Sequence, residues 1–166
     1  LSDAKNVNPN KLTACVLKRP RHNQIIKTLN KMGVKINFIT DGDVSGAILV
    51  ADPKKPIDIY LGIGGGPEGV LAAAALNCLG CQMQTRLVFQ NVEEKNRAKK
   101  LGIKNLDKKY NINDMVKEDV IFCATGVTDG NLVKGIKDLG ETFSSETLVL
   151  HKGTKTNKII KNQIKK

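Results

Sequence analysis

The centre of this sequence is the stretch Asp58-Ile-Tyr-Leu-Gly-Ile-Gly-Gly-Gly-Pro-Glu-Gly-Val-Leu-Ala-Ala-Ala-Ala-Leu76. Apolar residues alternate with other residues between Ile57 and Ile63, which predicts a β-strand. Three glycines follow, which permit backbone angles that side chains forbid, and the next residue is a proline, which suits the first turn of a helix. The run from Val70 to Leu76 is apolar on every face and predicts a buried helix.

One carboxylate, Glu68, lies between the predicted strand and the apolar part of the predicted helix. An acid in the first turn of a helix interacts favourably with the helix dipole, which contributes roughly 0.3–1 kcal/mol. Beside free backbone N–H groups, the same carboxylate is equally well placed to help hold a cation. The spacing alone leaves both interpretations open.

Length and composition indicate one soluble domain. The 166 residues carry a net charge of +11, and no apolar run approaches the roughly 18 residues of a membrane span, so a cytoplasmic protein is expected. Six lysines and no acid lie between His151 and Lys166, which predicts a solvated basic tail. Nucleic-acid binding is not favoured, because aromatic residues do not alternate with the basic ones and no zinc-finger pattern is present. The four cysteines are interpreted as small buried residues rather than as disulfide or zinc ligands.

The order of the predicted elements favours an α/β fold. Strands are predicted near residues 13–18, 34–38, 57–63, 85–89, 120–124 and 148–150, with helices at 25–32, 44–50, 70–76, 93–101 and 132–136. This alternation predicts one central sheet with helices on both faces, and the unbroken apolar run Val120–Ala124 predicts a central strand buried on both sides. The expected domain covers residues 12–152, between a lead-in of residues 1–11 and a basic tail of residues 153–166. Because residue 1 is Leu1 rather than Met, the chain is expected to be part of a longer protein.

Polar turns follow the clearest predicted strands: Arg19-Pro-Arg-His22, Asp41-Gly-Asp43, the three glycines with Glu68, and Thr125-Gly-Val-Thr-Asp129. Ligands of open α/β sheets bind outside the carboxyl ends of the strands, so these turns are expected to converge. Arginines bind phosphate, and carboxylates bind sugar hydroxyls or divalent metals, so the combination suggests a phosphorylated sugar. Taken singly, the arginines also fit plain surface charges, the aspartates fit a turn and helix cap, and His22 fits the start of a helix.

Four motifs occur in the same order in a known family. They are Arg19-Pro-Arg-His22, Thr40-Asp-Gly-Asp-Val44, the glycine-rich stretch 62–76, and Ala124-Thr-Gly-Val-Thr-Asp-Gly130. The third motif is followed by Gln82-Met-Gln84 and Arg86-Leu87. Together they resemble the C-terminal half of class II fructose-1,6-bisphosphatase, some members of which also act on sedoheptulose 1,7-bisphosphate. The resemblance implies the metal-dependent sugar and inositol phosphatase fold, Mn²⁺ or Mg²⁺ as cofactor, a role in gluconeogenesis and glycerol metabolism, and a homo-oligomer. It also implies that Glu68 is a metal ligand, and that the substrate contacts are Arg19, Pro20, Arg21, Asp41, Gly42, Asp43 and Gly65.

The family's other metal ligands lie in an N-terminal half that nothing in residues 1–18 matches. One ligand does not hold a catalytic ion pair, so the chain is expected to be inactive without that half. A non-catalytic module that binds a phosphorylated sugar is the competing hypothesis. A dinucleotide-binding domain is disfavoured, because the glycines lack the G-x-G-x-x-G spacing and no acid ends the following strand.

Overall fold

The computed structural model describes residues 1–166. Nine strands are present: β1 (Thr13–Leu17), β2 (Lys35–Ile39), β3 (Ile59–Tyr60), β4 (Gln84–Arg86), β5 (Lys109–Asn111), β6 (Ile121–Thr125), β7 (Lys137–Asp138), β8 (Thr142–His151) and β9 (Thr156–Lys165). The α-helices are α1 (Ser2–Lys5), α2 (Asn23–Lys31), α3 (Asp43–Leu49), α4 (Gly66–Cys78), α5 (Val92–Lys100) and α6 (Ile112–Met115). No helix combines the length and the apolar character needed to cross a membrane.

A parallel three-stranded sheet in the order β2-β1-β3 carries the first half of the chain. Because side chains alternate along a strand, Ala14 and Val16 of β1 face α2, where they pack with Leu29. Cys15 and Leu17 point to the opposite face, on which α3 packs against β1. The predicted α/β arrangement with helices on both faces is therefore confirmed for this sheet.

The remaining strands form two further sheets, so the prediction of one central sheet is wrong. β4 and β5 make a small antiparallel pair, and β6, β7, β8 and β9 make an antiparallel sheet. β6 lies at an edge of that sheet, with Phe122 buried but Ile121 62% exposed, and it is not a central strand buried on both sides. An apolar run alone does not distinguish a central strand from an edge strand, because the neighbouring strand, here β8, comes from a distant part of the sequence.

The segment predicted as a basic tail contains β9, which pairs with β8 along ten residues from Thr156 to Lys165. Its lysines, including Lys158 and Lys161, are exposed as expected. Backbone N–H and C=O groups make the ladder whatever the side chains are, so a lysine-rich sequence can still form a strand. Residues 156–165 are therefore an edge strand rather than a solvated tail.

The helix predicted from the apolar run is present as α4, which is longer at both ends. Ala73, Ala75 and Leu76 are buried against α3 and the β6–β8 sheet, whereas Val70 and Leu71 are about half exposed. The expectation of a fully buried helix is thus confirmed for one face and wrong for the other.

Two smaller expectations also differ from the structure. No helix forms at residues 132–136. The Lys134 backbone lies close to Gly126 and Gly135 lies close to Thr128, and the Gly135 N–H donates to Asp129 Oδ1 at 2.9 Å. All four cysteines are free, but only Cys15 is buried, and Cys123 is exposed.

Candidate functional site

The carboxyl ends of the parallel strands surround one cavity of about 350 Å³, which we call the strand-end cavity. Loops that follow β1 and β2, together with the start of α4, form its wall, as the rule for open α/β sheets predicts. The lining residues are Leu17, Arg19, Arg21, Asp41, Gly42, Asp43, Val44 and Glu68. Six of the eight predicted site residues therefore come together here. Of the other two, Pro20 lies between Arg19 and Arg21, and Gly65 lies against the Glu68 carboxylate.

Arg21 connects the loops that follow two different strands. Its Nε donates to the Ile63 carbonyl at 2.5 Å, and its Nη2 donates to Asp43 Oδ2 at 3.2 Å. The second carboxylate oxygen, Oδ1, accepts a hydrogen bond from the Tyr60 hydroxyl at 2.8 Å. Burial raises the pKa of Tyr60, and the bond to the Asp43 carboxylate raises it further, so the phenol stays a donor. Asp43 is therefore held in one orientation by two partners and is more than a helix-start acid.

His22 is the one polar residue in the buried set, with 0% of its surface exposed. Its Nδ1 lies 2.6 Å from the Leu17 carbonyl, and its Nε2 lies 2.8 Å from the Ile63 backbone nitrogen. Because Ile63 N–H can only donate, Nε2 accepts from it, and the Leu17 carbonyl accepts from Nδ1; the Ile63 carbonyl also lies 3.1 Å from Nε2. His22 thus joins the end of β1 to the loop before α4, a role that its place at the start of a helix did not indicate.

The loop of residues 61–65, which we call the glycine loop, shapes the surroundings of Glu68. Glu68 is the third residue of α4, and its carboxylate lies over Gly65, where a Cβ would overlap Oε2. A Cβ at Gly64 would lie 3.2 Å from Asp43 Oδ2, so the loop backbone approaches that carboxylate closely. Glu68 makes no hydrogen bond or ion pair within the chain, and it caps no helix N–H. Its free oxygens at the cavity wall favour the ligand interpretation over the cap.

The other predicted site residues stand at the turns themselves. Arg19 uses Nη1 to donate to the Lys18 carbonyl at 3.0 Å, which leaves most of its N–H groups free at the cavity. Pro20 begins a short 3₁₀ helix that carries Arg21 inward. Gly42 has φ of 80°, a left-handed conformation that favours glycine, and its N–H donates to Asp41 Oδ1 at 2.9 Å.

The chain's own residues do not form a complete metal site. Nowhere do three or more His, Cys, Asp or Glu side chains lie close enough together to hold an ion. Mg²⁺ and Mn²⁺ take about six oxygen ligands, and the strand-end cavity offers one carboxylate without an internal partner. The cavity wall carries two guanidinium groups, which can bind phosphate, and three carboxylates, which can accept hydrogen bonds from hydroxyls.

Comparison with known proteins identifies the family. Residues 1–164 match the family model described as bacterial fructose-1,6-bisphosphatase, glpX-encoded. The chain belongs to this fructose-1,6-bisphosphatase family. It is 39% identical over 159 residues to the class 2 fructose-1,6-bisphosphatase of Haemophilus influenzae, an alignment that covers 87% of the chain and 47% of that relative. It is 36% identical over 162 residues to a Synechococcus protein named D-fructose 1,6-bisphosphatase class 2/sedoheptulose 1,7-bisphosphatase, covering 90% of the chain and 47% of that relative.

The chain spans about half the length of these class 2 fructose-1,6-bisphosphatases and corresponds to their C-terminal part. The resemblance inferred from the four motifs is therefore confirmed. The structural roles of His22 and Tyr60 were not predicted from the sequence, because their hydrogen-bond partners lie in other elements of the chain. The one available signal was position, because His22 follows Arg21 directly and Tyr60 ends the strand before the glycines.

Proposed function

We propose that this chain is the C-terminal half of a divalent-metal-dependent fructose-1,6-bisphosphatase. Such an enzyme hydrolyses fructose 1,6-bisphosphate to fructose 6-phosphate and phosphate, a step of gluconeogenesis in the cytoplasm. The observation that carries the proposal is the convergence of Arg19, Arg21, Asp41, Asp43 and Glu68 on the strand-end cavity. Family membership adds the substrate class, because the relatives are named for this bisphosphate.

Each side chain of the cavity has a separate task in this proposal. Arg19 and Arg21 neutralise the phosphate that is not cleaved, since guanidinium forks match phosphate oxygens. Arg21 is already oriented by Ile63 and Asp43, so little side-chain entropy is lost on binding. A carboxylate has about four acceptor positions, and Asp43 uses two of them, so it still accepts bonds from sugar hydroxyls, as does Asp41.

Glu68 is proposed as one ligand of a Mn²⁺ or Mg²⁺ ion whose other ligands come from outside this chain. One feature supports this role, the free carboxylate at the cavity wall. The remaining half of the enzyme is thus the proposed partner, and the complete enzyme is proposed to be a homo-oligomer. No hydrolytic step is assigned to residues of this chain alone.

Phosphate release from fructose 1,6-bisphosphate in the presence of Mn²⁺ tests the proposal. The chain alone is expected to be inactive, and mixing it with the remaining half of the Haemophilus influenzae relative is expected to produce turnover. The Glu68→Gln variant keeps the size of the side chain but removes its charge, and it is expected to fail in the mixture. Turnover by the chain alone at a common enzyme rate of about 1–10³ s⁻¹ would overturn the proposal.

A non-catalytic module that binds a phosphorylated sugar is the second candidate. The incomplete metal site favours it, because a binding role needs only the arginines and hydroxyl acceptors. Calorimetry with fructose 1,6-bisphosphate in EDTA, together with the mixing assay, separates the two. Binding without turnover in any mixture supports the module, whereas turnover in the mixture supports the half-enzyme.

A further inference from the structure

The loop before Glu68 is held at a single residue, Ile63, through both of its backbone polar groups. Its N–H donates to His22 Nε2 at 2.8 Å, and its carbonyl accepts from Arg21 Nε at 2.5 Å. Two consecutive residues therefore bind both polar groups of one residue that is about 41 positions away in sequence. Such a double contact fixes the position and the orientation of the loop.

We infer that His22 is a positioning residue, which sets the glycine loop against Arg21 and so places Glu68 at the strand-end cavity. This inference rests on the proposed function, since it assigns His22 a part in binding the sugar bisphosphate. His22 itself does not line the cavity, and it acts through the residues that do.

Burial and bonding partners support this role beyond plain stability. His22 is completely buried, and a polar group there is tolerated only when its hydrogen bonds are made, as both ring nitrogens show. Its anchor, Leu17, is the last residue of β1 and lines the cavity. A histidine whose task was only to fill the core would have no need to connect a strand end to the loop beside the cavity.

The network extends from the loop to the second strand end. Arg21 also donates to Asp43, and Asp43 accepts from Tyr60, the last residue of β3. The ends of β1, β2 and β3 are thereby linked through one set of hydrogen bonds, which His22 joins at Ile63. Loss of the bond from Ile63 to His22 is expected to free the loop while leaving the sheet intact.

Two uncharged substitutions of His22 test the hydrogen bonds of its two ring nitrogens one at a time. In His22→Gln the amide reaches the position of Nε2, so its oxygen still accepts from Ile63 N–H. In His22→Asn the amide reaches only the position of Nδ1, so it still donates to the Leu17 carbonyl but no longer contacts the loop. The pair is matched in charge and in functional group; Asn is one methylene smaller, keeps the Leu17 contact and loses the Ile63 contact, whereas Gln does the reverse.

Two measurements on the full chain then decide the inference. Amide hydrogen exchange of Ile63 is expected to be faster in His22→Asn than in His22→Gln. Calorimetric affinity for fructose 1,6-bisphosphate in EDTA is expected to be about tenfold weaker in His22→Asn, as for one lost hydrogen bond. Leu150→Ala, a core change in the antiparallel sheet, is the control for general destabilisation and is expected to keep its affinity.

Equal amide exchange at Ile63 in the two His22 variants overturns the inference. If the parent chain binds fructose 1,6-bisphosphate, equal affinity of the two variants for it also overturns the inference. If the parent chain does not bind fructose 1,6-bisphosphate at all, the proposed sugar contacts are wrong. The exchange comparison then still decides whether His22 holds the loop. The failure of the inference and the failure of the proposed function are therefore distinguishable.

Discussion

Replacing Gly65 by alanine separates the stability of this domain from the geometry of its site. The backbone of Gly65 is extended, with φ of −69° and ψ of 156°, so alanine is sterically allowed there. The added Cβ, however, would overlap Glu68 Oε2, and ordinary contact begins near 3.4 Å. The carboxylate must therefore move by roughly 1 Å, which its flexible side chain permits at little cost.

Two opposing terms set the effect of Gly65→Ala on the free energy of unfolding. Alanine reduces the entropy of the unfolded chain, which stabilises by about 0.4–1 kcal/mol. Gly65 is also the N-cap of α4, where alanine is poorer than glycine by roughly 1 kcal/mol. The two terms nearly cancel, so the urea midpoint of the variant is expected to stay close to that of the parent chain.

The activity of the same variant is expected to fall sharply. A displacement of about 1 Å at a reacting site costs about 10²-fold in rate, so turnover by the chain mixed with the remaining half of its relative should drop by that factor. Gly66→Ala is the matched control, because a Cβ there meets nothing within 4 Å apart from its own chain neighbours. It is expected to keep the activity.

Two results would contradict a role for the position of the Glu68 carboxylate. Full activity in Gly65→Ala, under conditions where Glu68→Gln is inactive, would show that the position of the carboxylate over Gly65 does not matter. Equal losses in Gly65→Ala and Gly66→Ala would point to the loop backbone instead of to Glu68.

Three further predictions concern the Tyr60–Asp43 bond, the His151–Asp119 bond and strand β9. Tyr60→Phe removes the hydroxyl that donates to Asp43 and should cost about 1 kcal/mol in urea unfolding; an unchanged midpoint would contradict the bond. The hydrogen bond from His151 lowers the pKa of Asp119, so the stabilisation of the folded chain by this bond is present above about pH 4 and is lost as the pH falls further. As the pH falls below about 4, the Asp119→Asn variant should therefore lose less stability than the parent chain. Identical curves of stability against pH would contradict this contribution. Deleting residues 156–165 should lower the urea midpoint strongly, since it removes the whole ladder to β8, whereas a solvated tail could be removed without effect.

The local pattern of the sequence was sufficient to predict the strands of the parallel sheet and the convergence of most candidate site residues on one cavity. The short apolar run of β1, the alternation in β2 and the helical spacing in α2 are all local patterns that can be read directly from the sequence. The convergence of Arg19, Asp41 and Glu68 followed from one topological rule, because parallel strands bring their carboxyl ends to the same edge.

Only the tertiary structure decided the pairing of the later strands and the bonds that orient the site. β9 is a strand because β8 supplies its backbone partners, and no side-chain pattern in its lysine-rich sequence requires that. His22 binds a loop about 41 residues away, and its two ring nitrogens contact backbone groups of different elements. Such contacts depend on groups that the fold brings together from distant parts of the chain, whereas the candidate site residues lie in short motifs that are visible in the sequence.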